Sequence, residues 1–124
     1  MSETPNADYA RRLVDTFGLA ASDLVIEVGS GKGKRLRALR DRGMRVVGVE
    51  PELVTMVTAW NAGIDTICAP FDDTLARYLV NRYGPAKVVI LSTDAPREVA
   101  EACLVPGGVI VRGDEVPAPV RRAA

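Results

Sequence analysis

The sequence predicts an α/β domain: a three-layer sandwich in which helices cover both faces of a mainly parallel five-stranded sheet, with strand order 3-2-1-4-5. Two observations carry this reading. The runs "DLVIEV" (23–28), "RVVGVE" (45–50), "DTIC" (65–68), "AKVVIL" (86–91) and "GGVIVR" (107–112) are short and β-branched, and most are apolar without alternation, as strands buried on both faces are. Longer stretches of helical character separate them, and strands alternating with helices favour parallel pairing through right-handed crossovers. In such a sheet a ligand crevice forms beyond the carboxyl ends of the strands.

Taken in order, residues 6–18 place Tyr9, Leu13, Val14 and Phe17 at helical spacing, so the chain opens on an amphipathic helix ending near Gly18. The first strand, 23–28, leads through a glycine-rich turn into a helix over 33–42. The second strand leads into a helix over 52–62, the third into 72–83, and the fourth into a short helix over 96–104 that precedes the fifth strand. Gly43, Gly63, Gly84-Pro85 and Pro106-Gly107 mark turns between elements. Residues 1–113 read as one domain. The tail 114–124, "DEVPAPVRRAA", reads as a flexible or partner-bound extension.

Composition narrows the function classes. The 124 residues are 48% apolar and 26% charged, and 16 basic residues balance 16 acidic ones, so no overall field draws the chain to nucleic acid or to a membrane. No run approaches the roughly 18 apolar residues of a membrane span, and the first residues lack the apolar core of a secretion signal, which together predict a cytoplasmic protein. Histidine is absent, and Cys68 and Cys103 follow no metal-ligand spacing, so no metal site is expected. Both cysteines are expected to be small buried hydrophobes, too far apart across the sheet to bridge.

The stretch "VIEVGSGKGKRL" (25–36) carries the first functional signal. Gly29, Gly31 and Gly33 allow positive φ and close approach of a ligand to the main chain, and the amides at the following helix start suit an anionic group. Glu50 closes the second strand about twenty residues on, where a carboxylate can accept both hydroxyls of a ribose. Two ligand classes compete for this turn. A dinucleotide calls for G-x-G-x-x-G, whereas this spacing is G-x-G-x-G with Glu27 just before it, an acid badly placed beside a pyrophosphate. Glu27 suits a ligand with an α-amino group, paired directly or through water. A carboxylate following "LVI" is also expected to be partly buried and in need of a partner.

Four motifs in order give these residues a family. "VIEVGSGKG" resembles the first motif of the class I S-adenosylmethionine-dependent methyltransferases, a Rossmann-like superfamily. "VVGVEPE" is similar to their second strand, "VILSTDAP" occupies the fourth-strand position, and "LVPGGVIV" resembles their turn into the fifth strand. The resemblance implies S-adenosylmethionine as cofactor and S-adenosylhomocysteine as product. It implies that Glu27, Gly29, Ser30, Gly31 and Gly33 wrap the methionine part, that Glu50 holds the ribose, and that Pro51 and Glu52 lie near the adenine. The nearest resemblance is to the cofactor domain of nucleotide-sugar C-methyltransferases, which implies a small-molecule acceptor in sugar or natural-product metabolism. Those enzymes add an N-terminal zinc module, a C-terminal domain and a longer segment after the fourth strand. The fifth strand here is not followed by the usual strands 6 and 7.

Other candidates have two readings each. Asp72 can accept from an adenine amino group or start the helix that follows. Ser92 and Thr93 stand at the fourth strand's end, where their backbone can meet the cofactor's amino group or form a capping turn. Asp94 can face an acceptor or cap the next helix. Pro51 can contact adenine or open the next helix. Lys32 and Lys34 can reach an anionic group or simply be solvated, and Tyr9 can fold over the cofactor or pack in the core. No catalytic residue is assigned, because methyl transfer from a sulfonium is an in-line displacement governed by alignment. A fifth strand left as an open edge predicts a homodimer or a partner protein covering it. Rival functions are a cofactor-binding accessory subunit and a non-methyl reaction on the same fold.

Overall fold

The structure is a computed structural model, and it describes residues 4–118. Five parallel strands form one sheet in the order β3-β2-β1-β4-β5 that the sequence predicts. The elements run α1 (Pro5–Phe17), β1 (Leu24–Val28), α2 (Lys34–Arg40), β2 (Arg45–Val49), α3 (Leu53–Asn61), β3 (Thr66–Ile67), α4 (Asp73–Tyr83), β4 (Ala86–Leu91), α5 (Arg97–Glu101) and β5 (Leu104–Arg112).

Local chemistry explains the helix limits. Thr4 caps α1 by accepting from the Ala7 amide at 3.1 Å, Pro5 takes the first-turn position that needs no donor, and Gly18 ends the helix in the left-handed conformation. The side chain of Asp72 caps α4 by accepting from the Leu75 amide at 2.9 Å.

Side chains on the two faces of the sheet build two apolar layers. Leu24, Ile26 and Val28 of β1 point with Val47, Val49 and Val89 toward α4 and α5. Val25 points the other way, with Val88 and Ile90, toward Tyr9, Leu13, Leu36 and Leu39 of α1 and α2. All five residues of β1 are buried, Glu27 among them, as a strand covered on both faces requires. By strand alternation Glu27 falls on the α1–α2 side with Val25.

Two expectations are corrected. The fifth strand begins at Leu104 rather than 107: Ala86 pairs with Leu104 and Val88 with Val109, so Val105 to Gly108 bulge opposite Lys87. Pro106-Gly107 is therefore a bulge inside a strand, with Gly107 at φ +81°, and not a turn before it. Cys68 is exposed, because β3 stops at Ile67 and leaves it on a loop at the sheet edge; only Cys103 is buried. The tail's described part touches the domain at Val116 and Pro117. Thr16 donates to the Pro117 carbonyl at 2.6 Å, and half-buried Val116 packs against the α1–α2 layer. Residues 119–124 of the expected tail lie outside the described residues.

Among the described residues no helix is long and apolar enough to cross a membrane. On α3, Leu53, Val54, Val57 and Trp60 are exposed, so that helix is apolar on its outer face as well as its inner one.

Candidate functional site

The glycine turn is fastened to the end of β2. The amides of Gly29 and Ser30 both donate to the Val49 carbonyl, at 2.8 and 3.2 Å. Gly29, Gly31 and Gly33 all have positive φ. Their surroundings differ. A β-carbon on Gly29 would lie 2.8 Å from Thr93 Cγ2, and one on Gly33 would lie 3.2 Å from Ile64 Cγ1, whereas one on Gly31 would meet nothing within 4 Å. Gly29 and Gly33 thus answer to packing, and Gly31 faces open space where a ligand can approach the main chain. Ser30 is buried and its Oγ has no partner; a β-carbon on Gly48 would fall 2.4 Å from that oxygen.

Glu50 lies just past β2, half-buried, and its carboxylate is already oriented. Oε1 accepts from the Gly31 amide at 2.9 Å and Oε2 from the Glu52 amide at 3.0 Å. Each oxygen keeps a second lone-pair direction, so a vicinal diol can still donate to it. Beyond β1, β2 and β4 opens a crevice of about 190 Å³ whose walls include Val28, Val49, Pro51, Phe71, Thr93 and Asp94. Pro51 is part of that wall. Asp72 is not among its lining residues, and one of its carboxylate oxygens is engaged as the α4 cap; Phe71 beside it lines the crevice instead. Asp94 lines the crevice without capping a helix, since Pro96 stands at the N-cap of α5. Lys32 and Lys34 are exposed. A depression of about 290 Å³ between α4 and Ala102 lies away from the strand ends and from both glutamates.

Glu27 is 3% exposed. Burial pushes its carboxyl up to about 7 from an ordinary 4.5, against the opposing pull of the Ser92 hydroxyl and the Arg35 guanidinium. Ser92 Oγ donates to Glu27 Oε2 at 2.5 Å, and Arg35 Nη1 lies 3.4 Å from the same oxygen. Glu27 Oε1 is buried with no partner. Arg35 also donates to Ser92 Oγ at 3.2 Å and to the Asp114 carboxylate, and its guanidinium lies 3.9 Å from the centroid of the Tyr9 ring. Tyr9 is core and site support at once: it is buried, its hydroxyl donates to the Gly113 carbonyl at 2.9 Å, and burial pushes that hydroxyl up to about 12.

Arg35 is the site residue that sequence reasoning missed. Two signals pointed to it: Glu27 needed a partner, and Lys34-Arg35 put cations in the first turn of α2, where the helix dipole disfavours them. Among the described residues no cluster of acids and cysteines could hold a metal ion.

No family model matches the chain. An alignment of 85 residues at 38% identity relates it to the C-methyltransferase NovU of Streptomyces niveus, covering 65% of this chain and 20% of that protein. The fold superposes on an S-adenosylmethionine-dependent methyltransferase from Thiobacillus denitrificans, solved with S-adenosyl-L-homocysteine, with a TM-score of 0.65 and 21% identity; 88% of this chain and 48% of that one are covered. It also superposes on an alcohol dehydrogenase from Thermus sp. ATN1 with a TM-score of 0.67 and 15% identity, covering 94% of this chain and 35% of that one. These overlaps show the fold, which methyl-transferring and hydride-transferring proteins share.

Proposed function

We propose that this chain, which has the Rossmann-like fold of the class I methyltransferases, binds S-adenosylmethionine and serves methyl transfer to a small molecule. One observation carries the reading: two carboxylates with different tasks flank a single glycine turn. Buried Glu27 offers an unpaired oxygen suited to an ammonium, and oriented Glu50 offers two oxygens suited to a ribose diol. Pro51, Val49 and Phe71 supply apolar walls of the kind a planar adenine needs. A dehydrogenase reading fits less well, because a buried carboxylate beside the turn would repel a pyrophosphate.

When bound, S-adenosylmethionine supplies a methyl group on a sulfonium, already activated for in-line displacement. The residues of this chain bind and orient. Glu27 and Ser92 fix the amino-acid end, the open backbone at Gly31 admits the ligand, and Glu50 fixes the ribose, which together set the direction of the transferable group. Likeness to a C-methyltransferase supports methyl transfer as the chemistry, and the small-molecule acceptor follows from the motif resemblance to nucleotide-sugar C-methyltransferases. Among the described residues β5 pairs with β4 alone, so its outer edge suits a second copy or a partner protein; a strictly monomeric ligand-bound species on sedimentation would remove that part of the reading.

Calorimetry with S-adenosylmethionine, S-adenosylhomocysteine and NAD tests the ligand. Both adenosyl compounds are expected to bind and NAD is not; binding of NAD alone would sink the proposal. Glu50→Ala is expected to weaken S-adenosylhomocysteine by about 1–3 kcal/mol through lost charge-assisted hydrogen bonds. Unchanged affinity in that variant would remove Glu50 from the ribose.

A further inference from the structure

We propose that Arg35 is the receptor for the carboxylate of the ligand's α-amino-acid headgroup, and that Asp114 occupies this receptor in the ligand-free chain. The proposal rests on the S-adenosylmethionine reading and adds to it a residue and an internal competitor.

Arg35 is built into the site. Its side chain is 18% exposed, its guanidinium stacks on the buried Tyr9 ring, and it faces Glu27 and Ser92. Asp114 is different: its side chain is 84% exposed and meets Arg35 from outside. Of the two partners, the carboxylate is the one free to leave.

The present contact also leaves polar atoms unsatisfied. Arg35 Nε is buried without a partner while Asp114 takes Nη2, and Glu27 Oε1 is buried without a partner a short way off. A carboxylate that approached the guanidinium side-on would take Nε and Nη2 together. An ammonium on the adjoining carbon would supply the donor that Oε1 lacks. An α-amino-acid zwitterion carries both groups, and a simple carboxylate or a simple amine carries one.

Exchange begins with the exposed Asp114 side chain leaving, which has to open a way to the buried Arg35 Nε and Glu27 Oε1. Gly113 and Pro117, on either side of Asp114, are held by Tyr9 and Thr16, and the Gly113 amide donates to the Leu91 carbonyl at 2.8 Å. The backbone of residues 113–117 can therefore stay in place while the Asp114 side chain swings away. A depression of about 320 Å³ lined by Asp114, Arg35, Arg12, Asp8 and Tyr9 gives it room, although Arg12 on that wall is already paired with Asp8 at 3.0 Å. An exposed ion pair is weak, so the competition is modest in size.

Titration of the full chain with two probes tests this: S-adenosylhomocysteine, which carries the zwitterion, and methylthioadenosine, which lacks it. Asp114→Asn is expected to lower the Kd for S-adenosylhomocysteine roughly two- to fivefold, the scale of an exposed pair, and to leave methylthioadenosine unchanged. Arg35→Gln is expected to raise the Kd for S-adenosylhomocysteine roughly tenfold or more, as loss of charge-assisted bonds does, again sparing methylthioadenosine. Unchanged or weaker S-adenosylhomocysteine binding in Asp114→Asn overturns the proposal, as does an equal shift for both probes. Because Asp114 is exposed, that variant decides the matter even if Arg35→Gln fails to fold. Should neither probe bind the unaltered chain, the S-adenosylmethionine reading itself falls.

Discussion

Glu27→Gln is expected to make the ligand-free protein more stable at pH 8, by about 1–3 kcal/mol, and at the same time to weaken S-adenosylhomocysteine by roughly tenfold or more. The stability gain follows from burial. The folded chain holds the Glu27 proton up to about pH 7, whereas the ordinary value is 4.5. Between those values the folded form binds a proton that the unfolded chain has released, so stability falls as pH rises through the window and the loss is complete above it. A shift of this size corresponds to about 3 kcal/mol. Glutamine is neutral throughout and its carbonyl can still accept from Ser92, so the variant escapes the penalty. The binding loss follows because an ammonium then meets an amide in place of a carboxylate. For the unaltered protein the same logic has ligand affinity rising as pH rises through about 7. Chemical denaturation of both proteins from pH 4.5 to 8.5 checks the first half, and calorimetry the second. A variant less stable than the unaltered protein at pH 8 would contradict the burial account, and equal affinity would remove Glu27 from the site.

Gly29→Ala is expected to destabilise the fold by about 2–4 kcal/mol, lowering Tm by roughly 10 °C for a domain of this size. Two costs add here. The residue sits at φ +80°, which an L side chain resists, and the new methyl would lie 2.8 Å from Thr93 Cγ2 and 2.9 Å from Thr93 Cβ. Gly31→Ala separates structure from binding. It meets only the backbone cost at φ +59°, about 1–2 kcal/mol, yet its methyl projects into the open space over the turn. Thermal unfolding of the pair is expected to rank Gly29→Ala as the less stable, while ligand titration finds Gly31→Ala impaired even where it is folded. The reverse ranking in unfolding would show that the approach of Thr93 does not limit position 29.

Much of this architecture was legible because the strands are short apolar runs and their order follows from strand-helix alternation. The glycine turn and Glu50 were legible for a similar reason, since both depend on local spacing. The meeting of Arg35 with Asp114 was not. They lie 79 residues apart and meet only because β4 and β5 bring the chain back beside β1 and α1. The early start of β5 was hidden by Pro106-Gly107, which reads as a turn in the sequence but is accommodated as a bulge. Cys68 was misplaced because a β-branched run says nothing of how soon an edge strand stops pairing.

That bulge matters for how the protein behaves in a crowded solution. A nine-residue edge strand with an unbroken row of amides and carbonyls would template the addition of further strands, chain upon chain. Here the row is interrupted between Leu104 and Val109, at a point where Pro106 has no amide to offer and Gly107 turns the backbone aside. Beyond the bulge the regular register with β4 runs only from Val109 to Arg112. Any molecule that joins the sheet there must read four residues, which favours a specific contact over runaway polymerisation.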